Sequence, residues 1–205
     1  MCFRLGLCAL ALGAGLPAAA ATRTYVIDAS ASAVQVHVGK SGVFGFAGHA
    51  HEVVAERFEG RVDADVDDLA RSAVELSFDA SGLKVSGQGE PEGDAPKVQE
   101  AMAGPKVLDA SRFPAIRFRS RQVAGRRAAD GAYELQVSGD ISLHGVSRPV
   151  TVPVRVELSG STLTASGRTA LAQRAFGIEP VSAGGGTVKV KNEVGIEFRI
   201  VARVK

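Results

Sequence analysis

The sequence predicts an all-β fold, an antiparallel β-barrel of about eight strands with a short helical insertion. Three observations predict it: apolar and polar residues alternate with period two over most of the chain, tight turn signals separate the alternating runs, and a single short segment breaks the pattern.

The alternation begins with Val34, Val36 and Val38 and returns at Val74, Leu76 and Phe78. Ile116 and Phe118 then alternate with Arg117, Arg119 and Arg121. Leu135, Val137, Ile141 and Leu143 face one way, and Glu134, Gln136, Ser138, Asp140 and Ser142 the other. Val150, Val152, Val154, Val156 and Leu158 repeat the pattern, with Pro153 among their polar partners. Proline cannot donate to a ladder, so that strand is expected to bulge there or to lie near an edge. The last run is the longest, with Val188, Val190, Val194, Ile196, Phe198, Ile200, Ala202 and Val204 on one face. Successive strand side chains point to opposite faces, so each run has one dry and one wet side.

Turns are expected at Ala129-Asp130-Gly131, His144-Gly145-Val146 and Ser159-Gly160-Ser161. Residues 86–94 are rich in Gly, Glu and Pro and read as loop. A short helix is expected after Asp94 as its cap, with Pro96 in its first turn, continuing through 97–103, where Val98 is the only β-branched residue, and stopped by Gly104-Pro105. Many strands joined by hairpins suit a closed barrel or a sandwich, and closure removes the sheet edges. An eight-stranded barrel is filled by its own side chains or holds one small ligand. The pattern alone leaves that choice open.

The chain is expected to be exported. Arg4 precedes an apolar run over 5–16, and Ala19 and Ala21 form a small-x-small cleavage site. Residues 1–21 thus read as a signal peptide and 22–205 as one mature domain, which places the protein in the periplasm. Cys2 and Cys8 are the only cysteines and leave with the signal, so the mature chain has no disulfide and no thiol nucleophile. No later run is long enough for a transmembrane helix. The 24 Lys and Arg against 22 Asp and Glu are interspersed, and Trp is absent. That argues against nucleic acid as a partner. A two-fold homodimer stays open.

Four segments, in order, resemble the YceI-like family of periplasmic proteins. Tyr25-Val26-Ile27-Asp28 with Ser32-Ala33-Val34 resembles its first strand. Val107-Leu108-Asp109-Ala110-Ser111-Arg112-Phe113-Pro114-Ala115-Ile116-Arg117-Phe118 resembles its helix-to-strand signature. Gly139-Asp140-Ile141-Ser142-Leu143-His144-Gly145-Val146-Ser147-Arg148-Pro149-Val150 resembles its most distinctive hairpin. Phe176-Gly177-Ile178 with residues 188–198 resembles its closing strands. The resemblance covers 25–204. It implies an extended lipocalin-like barrel that binds a small apolar or amphiphilic ligand, such as a polyisoprenoid lipid or an isoprenoid quinone. Gly48-His49-Ala50-His51-Glu52 marks a histidine-rich variant.

A prenyl chain offers no hydrogen bonds and needs an apolar lining. Val36, Phe44, Phe46, Phe58, Phe78, Phe118, Leu143 and Phe198 are the candidates for it, unless they simply fill the barrel. On an extended strand His49 and His51 share a face and could meet a polar head group. They could also ligate a metal or haem, with His37 or His144 as a third ligand. The loop-end alternative is a pair that bonds backbone. His144 is expected to pin its hairpin, and Asp63, Asp65, Asp67 and Asp68 to face water. The chain carries no Gly-x-Ser-x-Gly elbow and no His-Glu-x-x-His motif, and it is expected to bind rather than catalyse.

Overall fold

The computed structural model describes residues 22–41, 51–87, 93–183 and 188–205. Among the described residues, twelve strands form one antiparallel sheet. They are β1 (Arg23–Ile27), β2 (Ala33–Ser41), β3 (His51–Ala55), β4 (Phe58–Ala64), β5 (Ala73–Asp79) and β6 (Leu83–Val85). After a helix α1 (Ala95–Ala103) come β7 (Ala115–Arg127), β8 (Tyr133–Leu143), β9 (Val146–Ser159), β10 (Thr162–Ala172), β11 (Ser182–Ala183) and β12 (Val188–Val204). No helix among the described residues is long and apolar enough to cross a membrane.

Eight of these strands close on themselves. β1 pairs with β4 on one edge and with β12 on the other, and β4, β5, β7, β8, β9, β10 and β12 follow as successive neighbours. β12 makes this possible by its length. Residues 193–203 pair with β10, while the opposite edge pairs first with β2 and then, at Ala202–Val204, with β1. β3 and β6 extend the sheet beyond β2, so the barrel is wider at that end.

The three predicted turns fall between β7 and β8, β8 and β9, and β9 and β10. His144 and Gly145 both have positive φ, 52° and 73°. That is the type I′ pattern that suits the right-handed twist of a two-residue hairpin. A Cβ on Gly145 would lie 2.6 Å from the Phe113 ring, so the position is closed to other residues by both conformation and space. The helix starts directly after Asp94, has Pro96 in its first turn and stops before Gly104, as expected. Asp94 does not cap it with its side chain; the carboxylate instead lies 3.2 Å from Lys97 Nζ.

The outer edge of β6 is closed by a side chain. Gln99 on α1 donates from Nε2 to the Leu83 carbonyl and accepts from the Val85 amide, both at 2.9 Å. The primary amide thus repeats the donor and acceptor of a further strand and blunts an edge that would otherwise invite pairing. Met102 and the loop residues Val107 and Leu108 pack behind it against Leu83 and Val53.

The opposite end has a packed floor. Tyr25, Leu163 and Ala202 are buried there with Val123, Val137 and Val156. Asp65 departs from the expected water-facing acidic row, being 3 % exposed. Its carboxylate accepts from the amides of Asp67 and Asp68 at 3.2 and 3.0 Å and from Thr22, with Arg71 at 3.5 Å. The Asp68 amide, before the other contacts, holds the carboxyl below its ordinary pKa against the opposing effect of burial.

Two outcomes test these ends. Gln99→Ala leaves a strand-edge donor and acceptor without their partners, and is expected to destabilise by about 1–3 kcal/mol in urea unfolding. Asp65→Asn is expected to destabilise most at neutral pH. Because the folded carboxyl titrates below the unfolded one, the charge contributes fully above the ordinary carboxylate range and loses its effect as pH falls to the folded value. The unfolding midpoints of variant and parent should therefore converge on acidification.

Candidate binding cavity

The inward faces enclose a cavity of about 320 Å³. Small-molecule sites span about 300–1,000 Å³, so this one is at the lower end of that range. Its walls follow from the strand alternation. Val34, Val36 and Val38 supply one wall from β2, Leu76 and Phe78 another from β5, and Ile196, Phe198 and Ile200 a third from β12.

Five of the eight predicted apolar residues line the cavity: Val36, Phe78, Phe118, Leu143 and Phe198. Phe58 does not. It pairs with Phe78 across β4 and β5, the two rings stacked at 5.2 Å, and sits in the packed cluster with Ala55 and Leu83. Phe44, Phe46 and His49 lie outside the described residues. Phe198 lies over Gly167, where a Cβ would stand 2.7 Å from its ring. The glycine therefore gives the ring its place on the inner surface.

The lining is not uniform along the barrel. Its middle is aliphatic and aromatic, and among the described residues polar side chains enter towards two ends: Asp65 and Ser72, with Tyr133, at the floor, Thr169 and Gln173 at the other. The floor pair is already engaged, since the Ser72 hydroxyl bonds to the backbone of Asp65 and the Asp65 carboxylate is held as described above. Gln173 donates from Nε2 to the Lys191 carbonyl at 2.8 Å. This leaves its side-chain oxygen as an acceptor not spent in that bond. The geometry can thus hold an apolar chain in the middle and hydrogen-bond a polar group near β10 and the turn that follows it.

His51 opens β3 opposite Val38, on the same strand face as Val53 and Ala55. His37 stands on the other face from Val36 and Val38 and cannot join it on one ion without leaving the sheet. His144 is committed elsewhere. Its Nδ1 donates to the Phe176 carbonyl at 3.2 Å and its ring meets Phe113 edge-on at 5.1 Å. Among the described residues, no three His, Cys, Asp or Glu side chains come together in a way that could hold a metal ion.

Sequence reasoning missed Thr169, Leu171 and Gln173 as lining residues, along with Met102 and Leu108. The inward row of β10 reads Leu163, Ala165, Gly167, Thr169 and Leu171, too mixed in size and polarity to announce an inner face. Met102 and Leu108 reach the cavity through tertiary packing of the helical insertion, which no local pattern encodes.

The chain is similar to known proteins in sequence and in fold. A UPF0312 protein of Shewanella denitrificans is 27% identical over 145 residues, 69% of this chain and 67% of the relative. One of Vibrio cholerae is 24% identical over 185 residues, 85% of this chain and 87% of the relative. Among solved structures, BcnA of Burkholderia cenocepacia superposes with a TM-score of 0.65 at 24% identity, covering 85% of this chain and 98% of that one. A polyisoprenoid binding domain from Saccharophagus degradans, implicated in plant cell wall breakdown, gives 0.66 at 13% identity, with 88% and 98% covered. These two likenesses show the shared fold. The YceI-like domain model matches residues 25–202, from the first strand of the closed barrel to the last, and the chain therefore belongs to the YceI-like family.

Proposed function

We propose that the protein binds an amphiphilic, lipid-like molecule of the prenyl class, a polyisoprenoid or an isoprenoid quinone, in the barrel interior. It acts by holding and carrying this ligand rather than by catalysis, in the periplasm after removal of residues 1–21. The observation that carries the reading is the apolar cavity of about 320 Å³ inside the closed barrel. A chain that lost about 400 Å² of apolar surface inside it would gain about 10 kcal/mol, before the cost of association and of ordering the chain. The Saccharophagus domain of the same fold is described as polyisoprenoid binding, which supports the same ligand class here.

The direct test is native mass spectrometry of protein purified from the periplasm, followed by organic extraction. A stoichiometric extra mass that extracts as a prenyl lipid or quinone is expected. A bare mass, together with no uptake of added prenyl lipid, would count against the reading. Leu143→Trp, which fills the cavity with an apolar group, is expected to weaken prenyl binding at least tenfold while the far-ultraviolet circular dichroism stays native. Unchanged affinity in that folded variant would remove the cavity from the binding site.

A further inference from the structure

Among the described residues, the join between β9 and β10 is left unpaired over its upper part. β9 and β10 pair only from Ser159↔Thr162 to Val154↔Gly167. Beyond that point β9 continues to Val146 paired with β8, and β10 continues to Ala172 paired with β12, but the two do not pair with each other. Continuing the register would set Val152 opposite Thr169, Thr151 opposite Ala170 and Val150 opposite Leu171. These ladder pairs are not formed. Val150, Val152, Thr169 and Leu171 all line the cavity and all are only half-buried.

The sequence builds this interruption in. A Cβ on Gly167 would lie 2.5 Å from the Pro153 carbonyl oxygen, so the backbone polar groups of Pro153 face β10. Residues an even number apart on a strand turn their backbone groups the same way, so Pro149 faces that side too. Both prolines therefore lack a donor on the β10 side of β9, while the ladder to β8 stays regular through Val146. Above the break, the turn at residues 173–176 forms a strap. On one side it is tied to β12, by Gln173 to the Lys191 carbonyl and by the Arg174 amide to the Asn192 side chain. On the other it is tied to the β8–β9 hairpin, by Arg148 Nε to the Ala175 carbonyl at 2.9 Å and by His144 to the Phe176 carbonyl.

We propose that this break is a lateral portal, through which the ligand's chain enters and leaves the cavity sideways between β9 and β10 beneath the strap. The proposal rests on the lipid-binding reading and adds its route. The floor is hydrogen-bonded around Asp65, and the joins of β4 with β5, β8 with β9 and β10 with β12 are continuous ladders, whereas that of β9 with β10 is not. Here side chains, not backbone hydrogen bonds, separate cavity from solvent. Thr169 and Gln173 stand at the inner edge of the break, so a polar head group left near the portal would meet hydrogen-bonding partners there.

The test staples the break from outside. Thr151 and Ala170 are exposed, point away from the cavity and stand on its two lips. The full chain carrying Cys2→Ser, Cys8→Ser, Thr151→Cys and Ala170→Cys is cross-linked with a short bis-maleimide, the link being verified by mass spectrometry. Association and dissociation rates of a fluorescent anthraniloyl prenyl ester are then measured. Both rates are expected to fall at least tenfold, with the dissociation constant changed less than twofold. Unchanged rates in the stapled protein would overturn the portal. Failure of the unlinked parent to bind the probe would instead overturn the lipid-binding reading, and the portal with it. In a separate variant Arg148→Ala, which unties one side of the strap, both rates are expected to rise several-fold. Rates equal to the parent's would remove the strap from the route.

Discussion

The barrel depends on the hydrogen-bond ladder of β12. This 17-residue strand bonds to β10 along one edge and to both β2 and β1 along the other. Because two short strands share that second edge, the sheet closes at the floor through β1 and β4 but flares above through β2, β3 and β6. The narrow end carries the buried cluster of Tyr25, Leu163 and Ala202. The cavity runs from that cluster, where Leu163 and Asp65 line it, to Thr169 and Gln173 at its other end. Shortening β12 would remove the register that joins these two halves.

Three places where the ladder stops or shifts are handled by different chemistry. At β6 the Gln99 amide supplies the missing donor and acceptor. In β7 the register shifts between Ser120 and Gln122, and the Ser120 hydroxyl accepts the Val74 amide of β5 at 2.8 Å. At the upper part of β9 the two prolines remove donors on the side where no strand follows. The first two devices close the wall and the third leaves it interrupted. Of the residues that resemble the family's distinctive hairpin, His144 and Arg148 tie the strap beside that interruption, and Gly145 makes the turn against Phe113. Their role in this molecule is structural.

Much of the fold was legible in the alternation. The dry faces of β2, β5, β8, β9 and β12 are those that the period-two pattern names, and the three hairpin turns fall where Gly follows Asp, His or Ser. The site was legible in part. Phe78 and Phe118 line the cavity as expected, yet Phe58, of the same chemistry, packs beside Phe78 instead. Nothing in the residue type separates them, because the difference lies in where each strand crosses the barrel. Asp65 reads as one more surface acid beside Asp63, Asp67 and Asp68, and only the return of the chain over residues 67–71 buries it under two backbone amides.

The sequence by itself determined that this is an antiparallel all-β protein, which face of each long strand is dry, and where its tight turns fall. These are local properties: side-chain direction alternates along a strand, and turn geometry depends on two or three residues. Its ordered motifs also determined the family. Tertiary structure alone decided that the interior is hollow, which apolar residues border the hollow rather than pack behind it, and where the wall lacks a ladder. Those outcomes depend on how many strands close the sheet and on which distant edges meet, and no local period encodes the distance between two strands that are not hydrogen-bonded to each other.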